Sequence, residues 1–250
     1  MRNKNKILPF VILLVILLPH FTSAQSSIPK FSLGIEESDN PSDFVLTMKI
    51  VFLLTVLSLA PSILIMMTSF TRLLIVFHFL RTALATQTVP SNQILAGLAL
   101  FLTFFIMRPV FNNINENALQ PYLHEEITQT EALKRAGKPI KTFMLKQTRD
   151  KELGLFIDLS GSEKPTLSED IPLSIVIPAF IVSEFKTAFQ IGFLLYLPML
   201  VIDVVVASIL LSMGMMMLPP MMISMPLKIL LFVLVDGWYV VIGSLVKGFM

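Results

Sequence analysis

An all-α, membrane-associated fold of helical hairpins with proline-broken helices is what this 250-residue sequence predicts. Three observations carry that prediction. Apolar residues make up 54% of the chain and charged residues 14%, against the usual ~25% charged in soluble domains. With a mean hydropathy of +0.78, a soluble fold of this length has no surface for so much Leu, Ile, Val, Phe and Met. The apolar residues lie in long Leu- and Met-rich runs without period-two alternation, which favours helices over strands. Prolines then punctuate those runs from within.

Taken in order, the chain opens with a processing signal over residues 1–24. Arg2, Lys4 and Lys6 form a basic head, Ile7 to Leu18 an apolar stretch, and Thr22-Ser23-Ala24 a small-residue cleavage site. The apolar stretch is too short to span a bilayer, which takes ~20 residues. Cleavage leaves the mature N-terminus outside the inner membrane. Residues 25–43 read as a polar leader, with Pro29, Asp39, Pro41 and Asp43. Residues 44–110 read as N-terminal apolar helices. The first runs from Phe44 to Met67 past Lys49 and Pro61, and a second, Thr68 to Gln87, holds Arg72, His78 and Arg81. Pro90-Ser91-Asn92-Gln93 starts a third, which Arg108-Pro109 is expected to end.

Residues 111–171 carry half of the chain's charged residues, in both signs, with Leu119, Tyr122, Leu123, Ile127 and Leu133 near helical spacing. They read as a charged helical insert, with a stop expected at Gly137 and Pro139 and a second piece around Phe143 to Leu155. A signal followed by four crossings places this insert on the periplasmic side. Its lysines and arginines favour the opposite side, but loops this long cross largely regardless of charge. Residues 172–250 return to apolar helices, with Pro178, Pro198 and Pro226 inside them.

Charges interrupt the apolar runs at Lys49, Glu184, Lys186, Asp203, Lys228 and Asp236. An Asp, Lys or Arg costs about 2.5–3.5 kcal/mol at the centre of a lipid-facing helix, so these groups are expected to be paired or hydrated. Asp203 and Lys228 are the preferred pair, because they flank one loop on adjacent segments. Two readings are open: structural ion pairing, or a proton or ion relay. Catalysis finds little support. Two intramembrane aspartates suggest an aspartyl protease, yet Asp203 follows Ile202 and Asp236 follows Val235, so the Tyr-Asp and Gly-x-Gly-Asp motifs are missing. No phosphate loop or nucleotide fingerprint is present, and His78 and His124 make no metal-ligand spacing. With no cysteine, disulfides and thiolate sites are excluded. No basic run interleaves with aromatics, so nucleic acid is not an expected partner, and no cofactor is expected.

The loop between the last two apolar runs is Ser212-Met213-Gly214-Met215-Met216-Met217-Leu218-Pro219-Pro220-Met221-Met222. Gly214 loosens the backbone, and Pro219 and Pro220 forbid helix continuation after the methionines. Irregular backbone at membrane depth survives only inside protein or along a cavity. Methionine side chains are unbranched and pliable. Met215, Met216 and Met217 therefore read either as a deformable gasket or as pliant core packing.

Together these residues resemble the FliP family of flagellar biosynthetic proteins. The matching stretches are Ala179-Phe180-Ile181-Val182-Ser183-Glu184-Phe185-Lys186, Ile202-Asp203, Gly214 to Met217 with Pro219-Pro220, Leu231 to Trp238, Thr68-Ser69-Phe70-Thr71-Arg72 and Pro90 to Gln93. The resemblance covers residues 44–250. It implies a non-catalytic subunit of the type III export gate in the bacterial inner membrane at the flagellar basal body, much of it on the periplasmic side. Several copies, expected as a pentamer, would assemble with FliQ- and FliR-type subunits into a helical multi-subunit channel. FlhA- and FlhB-type export proteins and unfolded secreted substrates are its further implied partners. In that family the consecutive methionines line a gasket. A virulence injectisome homologue and a secondary transporter stand as the alternatives, the latter weakened by the lack of internal repeats.

Overall fold

The computed structural model describes residues 41–161, 170–215 and 217–250, with side chains from Phe44 onward. The signal, most of the leader, residues 162–169 of the insert and Met216 lie outside the described residues. Among the described residues all regular structure is helical: α1 (Pro41–Met66), α2 (Phe70–Ala83), α3 (Asn92–Ile114), a widened π turn (Asn115–Leu119), α4 (Gln120–Leu123), α5 (Gln129–Gln147), α6 (Asp150–Ser160), α7 (Leu173–Ser212), α8 (Pro220–Leu234) and α9 (Gly237–Lys247). The all-α expectation holds.

The chain divides into two units, Met1–Phe52 and Leu53–Met250. The described part of the first is the opening of α1, whose side chains from Phe44 to Phe52 are all exposed and mostly apolar.

In the second unit, local chemistry sets the helix starts. Ser91 caps α3, its hydroxyl accepting from the Ile94 amide at 3.5 Å, and Thr128 caps α5 through the Glu131 amide at 3.4 Å. The expected helix start after Pro90 is therefore where α3 begins. The expected stops are not where helices end. α3 runs through Pro109, α5 through Gly137 and Pro139, and α7 through both Pro178 and Pro198. A proline inside a helix costs about 3 kcal/mol or more. Along the apolar α7 a loop at either proline would release several backbone groups that the surroundings cannot satisfy. Continuing the helix is the smaller loss.

Contacts fix the packing directions. Arg72 meets Glu184 and Phe79 meets Gly192, so α2 and α7 run parallel. Gly192 is needed there, because a Cβ would sit 2.4 Å from the Phe79 ring. Asp203 meets Lys228, which makes α7 and α8 an antiparallel hairpin. One core gathers Leu73, Phe77, Leu80, Leu95, Ala188 and Leu245 from α2, α3, α7 and α9. A second gathers Met144, Ile175, Val176 and Phe180 where α5 crosses the start of α7.

Among the described residues three helices are long and apolar enough to cross a membrane: Phe44–Met66, the α3–α4 stretch Asn92–Leu123, and Leu173–Ser212. The pair α8–α9, bent by 64°, counts as a fourth if taken as one span. Their outward faces are apolar, with Phe101, Phe193, Leu194 and Val201 exposed.

Candidate functional site: a methionine-tipped hairpin and its buried charges

The α7–α8 hairpin ends in the Met loop. Ser212 closes α7, and Gly214 takes the left-handed conformation, φ 74°. The Gly214 amide donates to the Leu211 carbonyl at 3.1 Å and the Met215 amide to the Leu210 carbonyl at 3.0 Å. Those two bonds form a Schellman ending, which favours glycine at the left-handed position. Pro220 then takes the first position of α8, where its missing N–H is no loss. Around this turn the described methionine side chains stand outward. Met213, Met215, Met217, Met221 and Met222 are all exposed, Met217 at 97%. Five thioethers thus share one hairpin tip with no core of their own.

A polar latch holds the base of that hairpin. Lys228 Nζ lies 2.6 Å from Asp203 Oδ2, and the Ser224 hydroxyl donates to Asp203 Oδ1 at 2.6 Å. The Lys228 side chain is 3% exposed and that of Asp203 29%. Both carboxylate oxygens are engaged. From Asp203 to Met213 the helix advances about 15 Å, so the tip stands well past the latch.

Glu184 sits deeper, fully buried on α7. Its two oxygens take a forked pair of hydrogen bonds from Arg72, Nε at 2.8 Å to Oε2 and Nη2 to Oε1. Arg72 also donates to Gln147 Oε1 at 3.1 Å and to the Gly248 carbonyl at 3.4 Å, and stacks on the Phe249 ring 3.8 Å from its centroid. One buried guanidinium therefore ties α2, α5, α7 and the residues after α9 together. Lys186, two residues on, faces another way and meets Glu152 of α6 at 2.7 Å. That hydrogen bond holds the Glu152 carboxyl below its usual range, against the opposing effect of burial. Beside it, Arg149 donates to Gln190 at 2.5 Å and Thr187 at 3.3 Å.

Asp236 departs from the expectation of a buried, paired charge. It is exposed at the α8–α9 corner in the left-handed conformation, φ 51°, and makes no ion pair among the described residues. An aspartate tolerates that conformation better than most side chains, so it shapes the corner. Pro219 and Gly214 bracket the tip as described, while Met216 lies outside the described residues. Two partners escaped the sequence reading, Arg72 for Glu184 and Phe249 beneath Arg72. Arg72 interrupts an apolar stretch, which was the available signal. Its partner lies 112 positions away, beyond the reach of any local pattern.

A family model for the FliP family matches residues 53–245. The chain is 57% identical over 217 residues to the flagellar biosynthetic protein FliP of Bacillus subtilis (strain 168), covering 87% of this chain and 98% of that protein. With the protein of the same name from Aquifex aeolicus (strain VF5) it shares 51% identity over 226 residues, 90% of this chain and 93% of that one. The counterpart in Pectobacterium carotovorum subsp. carotovorum is 48% identical over 206 residues, 82% and 80% of the two chains. Matched across most of its length to a family model and to relatives nearly end to end, the chain belongs to the FliP family and has a role in flagellar export.

Proposed function

We infer that this chain is a channel-forming subunit of the flagellar protein export gate in the inner membrane, passing unfolded flagellar proteins outward. The observation that carries this reading is the exposed methionine tip on a hairpin latched at its base. A tip of pliable apolar side chains is unstable in water alone, and several copies around an axis would bury it against itself. Such a ring seals small ions when idle and moulds around varied side chains during passage. Met215, Met216 and Met217 form the gasket, with Gly214, Pro219 and Pro220 shaping the loop. Copies of this chain, as a pentamer, and FliQ- and FliR-type subunits complete the wall, while FlhA- and FlhB-type proteins deliver substrates. The names of the relatives favour the flagellar branch over an injectisome cousin.

We take the channel to stand largely on the periplasmic side, and the placement of charge supports a wall of protein neighbours around α7 in place of lipid. Between Lys186 and Asp203 α7 has only about 24 Å of charge-free helix, short of the ~30 Å hydrocarbon core. A bare lipid crossing by α7 would strand a charge, whereas protein neighbours can pair it, as Arg72 and Lys228 do.

Replacing Met215, Met216 and Met217 together by alanine tests the gasket. Small-ion leakage across membranes containing the assembled complex should rise while assembly is unchanged. Unaltered conductance in an intact assembly overturns the reading.

A further inference from the structure

We propose that the tip of the α7–α8 hairpin is a metal site, which holds a soft monovalent cation of the cuprous type through thioether sulfurs alone. Met213, Met215, Met217, Met221 and Met222 stand exposed within one ten-residue stretch. Gly214 turns the chain between Met213 and Met215, and Met221 and Met222 follow on the first turn of α8. Only residues 213–219 join the two helices, so both groups of sulfurs lie at the same end of the hairpin. Unbranched side chains with three rotatable bonds let sulfurs from either side of the turn converge on one ion.

The donor set decides the ligand. Thioether sulfur is soft and uncharged and suits Cu(I), whereas magnesium, calcium and manganese take carboxylate, carbonyl and water oxygens. Between Val204 and Leu227 the chain carries no Asp, Glu, Lys, Arg or His. Asp203 lies about 15 Å back along α7 from Met213. It is engaged by Lys228 at 2.6 Å. A hard cation therefore finds no anionic oxygen at the tip. Among the described residues no group of three or more His, Asp or Glu side chains is placed to hold a metal, so no harder site competes. Binding also costs the fold little. Met217 is 97% exposed and the other four at least 44%, so engaging their sulfurs withdraws no packing from a core. Met107 and Met144, by contrast, are fully buried and would have to leave the cores they fill. The site needs one tip only, so it stands whether or not the tips ring a pore. In a ring, neighbouring tips add sulfurs to the set.

Silver binding tests it, because Ag(I) is the redox-inert counterpart of Cu(I). The whole complex in detergent, free of thiol and chloride, is dialysed against silver nitrate, and the retained metal is counted by mass spectrometry. Silver should be retained against excess magnesium, and X-ray absorption should show a first shell of sulfur. Replacing the five methionines together by leucine, which nearly conserves volume, should weaken binding at least about tenfold. If that variant lowers the yield of complex, Met215→Leu with Met222→Leu, one from each side of the turn, should weaken it at least about threefold. Leucine keeps the apolar bulk of the tip, so small-ion leakage should stay at the parent level in both variants. Failure of the metal site and failure of the gasket reading thus appear in different measurements. Silver binding unaltered by either leucine variant overturns the proposal, and so does a first shell of nitrogen or oxygen.

Discussion

Removing Glu184 should expose how much of the fold hangs on one buried guanidinium. In Glu184→Leu, Arg72 keeps its Gln147 and Gly248 acceptors and the Phe249 ring but loses both bonds to carboxylate. Hydrogen bonds to charged groups contribute about 1.5–3 kcal/mol each, so two amount to roughly 3–6. Leaving one member of a buried pair alone costs about 3–5 kcal/mol by independent experience. The two routes agree. Cation–π contact with Phe249 is worth about 0.5–2 kcal/mol, and since it is present before and after the change it offsets none of the loss. Against a total stability of about 5–15 kcal/mol, the single variant sits at the edge of accumulation. The double variant Arg72→Met/Glu184→Leu should recover by at least about 2 kcal/mol, because no charge is then stranded. Urea unfolding of the detergent-purified chain measures this through Trp238, the one tryptophan, which packs edge-on to Phe77 and Phe232. If the double variant is as unstable as the worse single, or Glu184→Leu is neutral, the pairing argument fails.

Other outcomes follow from the same geometry. Lys228→Met leaves Asp203 with Ser224 alone; because Asp203 is partly open, the loss should be about 2–3 kcal/mol, less than for a fully enclosed pair, and Lys228→Arg should restore part of it. Normal unfolding of Lys228→Met would reject the latch. Gly192→Ala forces a Cβ into the base of the Phe79 ring, held against Phe189 at 5.1 Å, and should cost about 1–3 kcal/mol by the same Trp238 measurement. An unchanged midpoint would mean the two helices slide apart freely. For acid, the Glu152 carboxyl has a folded value below the usual 4.5, so its contribution is complete above that value and is lost as pH falls through the folded one. Glu152→Gln should therefore flatten the decline in stability below pH 4.5 and leave the curve near pH 7 parallel to the parent. An unaltered acid limb would remove Lys186–Glu152 from the account.

How much of this was legible before the fold depends on distance along the chain. Helix class, the start of α3 at Ser91 and the off-helix character of the Met loop follow from local rules of period, cap and backbone freedom. Asp203 and Lys228 were paired by hairpin logic, which needs only one turn between two runs, and they lie 2.6 Å apart. Arg72 and Glu184 are separated by 112 positions, and no local pattern announces such a meeting. The prolines misled for a different reason. Rules learned where water can satisfy a broken turn overstate the stopping power of Pro178 and Pro198 in the apolar α7; for Pro109 and Pro139 no such surrounding explains the continued helix. Asp236 misled because a lone acid in an apolar run looks buried, whereas here the chain bends at that residue and turns it outward.

The forty residues of α7 make a strut about 60 Å long, anchored by ion pairs at Glu184, Lys186 and Asp203, with a free end beyond them. Leverage follows from those proportions. From Glu184 to Ser212 the strut advances about 42 Å, so pivoting by one degree about the buried guanidinium swings the free end by about 0.7 Å. An aperture ringed by such ends would widen by more than an ångström for a tilt too slight to disturb packing at the pivot.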